Sequence, residues 1–428
     1  STMTEKLKLD LFVVLPDVAD ERDVCVGRLS RLLQAEGLEK VHVIHEGGRT
    51  RLCLHYDPQQ FSVSPVRELA QESTLARMVE MVAEAQTQPA IAYELHMEEI
   101  YEEMIDGEVV FALAYRDPLT RLIRPTLYVT EGQTVTIRIT NKTRKPRRFA
   151  ISGFKADKFP IMPVGASWKV TFVAPEAGSY IYHECLEGAV GRLVGLHGPM
   201  IVRPIDGRTP AGTQTPYSNP TPAQCALFDA LGNSARFPGE PWRADLYERT
   251  KCWMFSEIDP ALNRKVEQDV ATGWTTILST FKPRYFTLNN LSGYDSSHDD
   301  TCCPAGYEGE PHLLRTMNAG VATHGPHIHG NHVFCLSEVY PNSLQQYKCE
   351  SIHEVDTWMM KPLWRRDVLL PFIKPDEIPA ACWPPKQEPW PLYYPMHCHI
   401  EMSQTAGGGM YPQGMVTHWE MLGPRRGA

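Results

Sequence analysis

From about residue 95 onward, apolar and polar residues alternate in short runs bounded by glycine, proline or asparagine. "TVTIRIT" (134–140), "SWKVTFVAP" (167–175), "GSYIYHE" (178–184) and "GPMIVRP" (198–204) send alternate side chains to opposite faces, which predicts β-strands. "KCWMFSEID", "RYFTLNN", "HVFCLSEVY", "VDTWMM", "WRRDVLLPF" and "VTHWEML" continue the pattern, with no helix-period stretch expected between them. Short strands separated by turn signals predict a sandwich or a barrel. The first 90 residues have a different rhythm. "LKLDLFVVLP" reads as a strand and "DERDVCVGRLSRLLQAEG" as a helix ended by Gly37. "KVHVIHEGGRTRLCLHYD" reads as a hairpin turning at Gly47-Gly48, and "SPVRELAQE" opens a helix with Pro65 in its first turn. That β-α-β-β-α order predicts a small two-layer α+β domain. "RPIDGRTPAGTQTPYSNPTPAQ" reads as a linker or surface loop. The expected division is residues 1–90, 91–205, a Pro-rich linker at 206–240, and 241–428.

The bulk numbers narrow the classes. A chain of 428 residues is too long for one ordinary core. A net charge of −9 offers no basic stripe for nucleic acid, and no apolar run approaches a membrane span. The opening "STMTEKLKLDLFVVLP" does not read as a secretory leader, because Asp10 interrupts a short apolar stretch. The 11 cysteines are scattered and odd in number, so reduced thiols and a cytoplasmic location are expected, with Cys302 and Cys303 as two loop thiols.

The chemistry lies in histidines. Of the 16, His324, His327, His329 and His332 fall in "HGPHIHGNHVF", and His397 and His399 flank Cys398 in "MHCHIE". On a strand, the two imidazoles of a His-x-His point one way and the intervening residue the other. Imidazole is a favoured ligand of copper, zinc and iron, so two such motifs predict a metal site with Cys398 on its far side. His197, His298, His332 and His418 read more simply as structural or solvated residues.

"HGPHIHGNHVF" resembles the His-Pro-x-His-x-His-Gly motif of multicopper oxidases, and "MHCHIE" resembles their His-Cys-His-Ile motif. "RPTLYVTEGQTVTIRITN" and "GSYIYHECLEGAVGRLVGLHGPMIV" are similar to the first cupredoxin domain of that family. The resemblance covers about residues 95–428. It implies a mainly β protein with two cupredoxin-like Greek-key β-sandwiches. It also implies copper as cofactor, O2 as co-substrate and a small-molecule reductant. In that family, His-x-His motifs hold a trinuclear copper cluster, and a separate blue copper is held by a Cys, two His and usually a Met. Matched residue by residue, His327 corresponds to a type 2 ligand, and His183, His329, His397 and His399 to type 3 ligands. His324 and Cys398 correspond to blue-copper ligands.

The departures matter as much. The first His-x-His motif is absent, with Ala150 and Ser152 nearby, and in the second Cys185 replaces the partner of His183. The second blue-site histidine is Ser403, and the methionine position is Gly408, with Met410 close by. The implied centre is therefore remodelled. It holds His183, His327, His329, His397 and His399, with Cys185 as a further possible ligand, and it lacks an ordinary blue copper. The function expected is a copper-dependent oxidase of small molecules. The alternative is a non-catalytic copper storage or delivery protein. The two sandwiches could pair within one chain or between chains in a homo-oligomer. The N-terminal segment resembles the ferredoxin-like, heavy-metal-associated domains of copper transport proteins. In place of their Met-x-Cys-x-x-Cys loop it has "PDVADERDVC" with Cys25 alone, so a docking role without metal is expected.

Overall fold

The computed structural model describes residues 5–10, 38–46, 49–57, 90–232, 249–271, 273–386 and 388–424. Both helices expected before residue 90, and the loop containing Cys25, lie outside the described residues. The three described strands there, Glu5–Asp10, Leu38–Glu46 and Arg49–Tyr56, form an antiparallel sheet with Arg49–Tyr56 in the middle. The expected hairpin is present, its ladder reaching Glu46 opposite Arg49.

The rest is mainly β. One sandwich sets the sheet of Ser167–Val173, Thr134–Asn141, Ile91–Glu103 and Val109–Arg116 against that of Leu127–Thr130, His197–Arg203, Gly178–Glu184, Arg147–Ile151 and Ile161–Met162. The other sets a seven-stranded sheet centred on His312–Asn318 against four strands, Ala305–Gly306, Val416–Met421, Leu392–Cys398 and Pro326–Ile328. Each of these four sheets contains a parallel pair among antiparallel neighbours, so the two sandwiches share one plan. Alternation builds the cores as expected. In Thr134–Asn141 the residues Val135, Ile137 and Ile139 are buried, and in Leu392–Cys398 the residues Leu392, Tyr394, Met396 and Cys398 are buried.

Three expectations from sequence differ. The Pro-rich stretch is no loose linker: it contains the helix Pro222–Gly232, and Tyr217 is buried with its hydroxyl donating to Asp367 and bonded to Ser337, both at 2.9 Å. Tyr217, Phe228 and Leu231 pack on Leu313, Leu336 and Leu369, so anchoring residues hidden among prolines bind the segment to the sheet. The helices Pro260–Glu267 and Trp274–Thr280 do interrupt the second β-rich segment, the first capped by Asp259 through the Ala261 and Leu262 amides. Their Leu262 and Ile277 complete the core of the first sandwich, which propensity within their own segment could not reveal. "VDTWMM" holds only the end of a two-residue strand, Glu354–Val355, with isolated bridges at Thr357 and Met360.

Between the sandwiches, Ser179 donates to Asp367 at 2.6 Å, the Arg192 guanidinium donates to the Gly320 carbonyl at 2.7 Å and to that of Ala319, and Asn263 donates to the Phe111 carbonyl at 2.7 Å. Ile181 and Ile201 pack against Met254, Met317 and Ala319 across the same seam.

Candidate metal centre

The strand Leu392–Cys398 separates two chemistries by pleat alone: His397 faces outward while Cys398 is fully buried. Pro326–Ile328 pairs with it antiparallel, placing His327 directly opposite His397 on the outer face. His329 follows, its backbone pinned by the Pro395 carbonyl at 3.0 Å and by the Trp419 indole at 2.8 Å. His399 is fixed by an amide bond to the Gly325 carbonyl at 2.7 Å. Gly330 makes the turn possible. Its φ of +74° disfavours a side chain, and a Cβ there would lie 2.3 Å from the Tyr394 ring.

Four imidazoles converge as a result. Ring centroids lie 4.6 Å apart for His327–His329, 5.2 Å for His327–His399, 5.1 Å for His329–His397 and 5.7 Å for His397–His399. The Nε2 atoms of His329 and His397 are 3.0 Å apart, and donor nitrogens of His327, His329 and His397 all lie within 4.8 Å of one another. His327 Nδ1 meets the Asp356 carbonyl and the Thr357 hydroxyl, and His397 Nδ1 meets the Cys398 carbonyl at 3.1 Å, which orients their Nε2 atoms toward the cluster. Partial desolvation, then the neighbouring imidazoles, hold His329 and His397 below the usual histidine range, so both favour the neutral, ligating form.

His183 and Cys185 do not join them within one chain. His183 sits opposite His197 and Ala150 in its ladder, and burial, followed by the charge of Arg192, pushes it down to about 4. The Cys185 thiol packs against the core of the first sandwich, where burial raises it to about 11. Among the described residues, the donor atoms grouped within 4.8 Å of one another are those of His327, His329 and His397, and neither His183, on the strand Gly178–Glu184, nor Cys185, just beyond it, is among them.

Behind the cluster lies the remnant of the expected blue site. Cys398 Sγ is 3.6 Å from His324 Nδ1 and accepts the Gly325 amide at 3.4 Å. His324 Nε2 meets the Glu257 carboxylate at 2.5 Å, and both side chains are buried. Burial alone would lower His324, but its bonds to Cys398 and Glu257 lift it to about 9. Burial alone would raise the Cys398 thiol, but His324 draws it below the ordinary range, helped by Ser403. Ser403 therefore stands beside the sulfur, at the position where the sequence places it in lieu of an imidazole. Met410 is half exposed, whereas buried Met415 packs in the same core as Cys398, its carbonyl accepting the Cys398 amide at 3.1 Å. Glu257 was missed, lying 67 residues from His324 with no local signal. It also accepts the Val321 amide at 2.9 Å and packs on Gly320, where a Cβ would lie 2.1 Å from its carboxylate.

Three other histidines read from sequence as structural or solvated have ordinary partners. His418 meets Glu420, His332 meets Glu354 and Glu377, and His298 meets the Tyr294 carbonyl. Ten described cysteines, Cys302 and Cys303 included, stand free.

Residues 120–207 match the family model described as multicopper oxidase. The fold agrees over a wider span. It is similar to the blue copper oxidase from Nitrosomonas europaea, at 18% identity over 78% of this chain and 86% of that one, with a TM-score of 0.56. It is also similar to the multicopper oxidase mgLAC, at 19% identity over 78% and 86%, with a TM-score of 0.55. At these identities the likeness is one of fold. Comparison with curated protein sequences gave no significant match.

Proposed function

We propose that the chain is a copper-dependent oxidoreductase that oxidises a small molecule with O2 at a remodelled centre held by His327, His329, His397 and His399. The observation that supports it is the convergence of these four imidazoles, with two Nε2 atoms at 3.0 Å, close enough to share one ion at about 2 Å each. The donor set suits copper: neutral nitrogen ligands without carboxylate. Copper supplies one-electron redox chemistry. The protein holds two imidazoles by their Nδ1 partners and leaves His329 and His399 exposed, so a small reductant can approach. Cys398, His324 and Ser403 lack the second imidazole of a blue site, which supports a protein without that site's intense colour.

The outward face of the cluster supports a homo-oligomer in which a second copy stands beside it and leaves the reductant's approach open. The free thiols support a reducing compartment. Oxygen uptake by copper-loaded protein with candidate reductants is the deciding test, with one or two firmly bound coppers per chain expected at the centre. Exposure of His329 and His399 also suits a protein that hands its copper on. Transfer to an acceptor without oxygen uptake would establish that reading instead, and four firmly bound coppers with a strong thiolate charge-transfer band would overturn the remodelled centre.

A further inference from the structure

The N-terminal sheet brings together three donors that its expected metal loop does not include. In the ladder between Leu38–Glu46 and Arg49–Tyr56, His42 is directly opposite Cys53, and His55 lies two residues beyond Cys53. Residues opposite one another, and residues two apart, share a face. His42, Cys53 and His55 therefore form a triangle on one side of the sheet, while Leu52, Leu54 and Tyr56 are buried on the other. One donor atom from each lies within 4.8 Å of the others, and the two imidazole centroids are 5.0 Å apart. Cys53 is 2% exposed, and the Nδ1 of His42 is buried without a hydrogen-bond partner. A buried nitrogen left unsatisfied costs free energy unless something binds it.

We propose that His42, Cys53 and His55 form a second metal site, distinct from the four-histidine cluster, which takes copper(I). Two imidazoles and one thiolate are a soft to borderline set that favours copper(I) or zinc. Charge decides between them. Lys6 and Lys8 stand opposite His55 and Cys53 in the neighbouring strand, Lys40 stands opposite His55 on the other side, and the charges of Lys40 and Lys6 act on His42. Copper(I) bound to one thiolate is neutral, whereas a dication would leave a positive charge among these ammonium groups. Binding requires the Cys53 thiol to release its proton to solvent as the sulfur–copper bond forms, with no change of oxidation state.

The test is copper(I) competition against a chromophoric chelator, with copper-edge absorption spectroscopy, on the full chain and on His42→Gln, His55→Gln and Cys53→Ser. Each replacement is expected to weaken one copper(I) equivalent at least as much as the roughly 10–100-fold typical of losing an outer-shell partner. Cys53→Ser is further expected to remove a sulfur neighbour from that copper. The equivalent is expected to survive in a His329→Ala, His397→Ala double variant, which separates this site from the cluster whatever the cluster does. The glutamine variants keep a polar surface and carry the test if Cys53→Ser does not fold. Unchanged copper(I) affinity in both glutamine variants, or tighter zinc than copper(I) binding there, overturns the proposal.

Discussion

At the scale of single residues, the centre depends on how each imidazole is held. His329→Ala and His399→Ala are expected to lose copper and oxygen-dependent turnover together, while His324→Ala costs less of both. Elemental analysis and oxygen uptake at equal folded fraction check this, and the reverse order would move the working centre to the cysteine side. Gly330→Ala is expected to cost about 1–2 kcal/mol from its left-handed backbone alone, more from the Tyr394 ring, and to loosen copper by displacing His329. A lowered melting temperature with copper content unchanged would deny that link. Titration gives a two-sided prediction for the metal-free protein. His183, at about 4 when folded and ~6.5 when unfolded, binds its proton later in the folded state, so stability is lost as pH falls from the higher value to the lower. His324, at about 9, retains its proton longer when folded, so stability is lost as pH rises through that window. The depressed Cys398 thiol opposes the alkaline loss, making that limb shallower. Melting temperatures across pH are expected to peak near neutrality, with His324→Gln flattening the alkaline limb. His327, His329, His397 and His399 were legible in the sequence because a His-x-His on a strand has only one way to point. Glu257 was not, because it acts across the fold, 67 residues from His324. His42 and Cys53 were legible in principle, since the hairpin register already sets them opposite each other, but their separate motifs gave no reason to pair them.

At the scale of elements, strands with strict alternation, such as Thr134–Asn141 and Ser167–Val173, were read from sequence with ends displaced by no more than a residue or two. Elements whose partners lie elsewhere were not. Pro260–Glu267 is amphipathic but too short to announce itself, and its value comes from the sandwich it covers. The Pro-rich segment is held by Tyr217, whose hydroxyl reaches the buried Asp367–Arg315 ion pair. Tyr217→Phe is expected to lower stability by about 1.5–3 kcal/mol, the range for a bond to a charged partner, with the copper centre untouched. A denaturant midpoint unchanged from the parent protein would show the segment to be merely draped on the sheet.

At the scale of the whole molecule, Leu262 and Ile277 belong to the core of the first sandwich although they lie in the sequence of the second half. Arg192 reaches the other way, its guanidinium holding the loop at Ala319 and Gly320 that leads to His324. Calorimetry on the chain from residue 90 onward is expected to give one cooperative transition rather than two, and separate transitions would show that each half folds without the other. The shared core also bears on descent. A gene fragment encoding only the histidine-bearing half would leave Leu262 and Ile277 without their cover and the neighbouring sandwich unsealed. Recombination that divides the pair is therefore penalised by folding before any chemistry is lost, and the two halves pass from ancestor to descendant as one heritable unit.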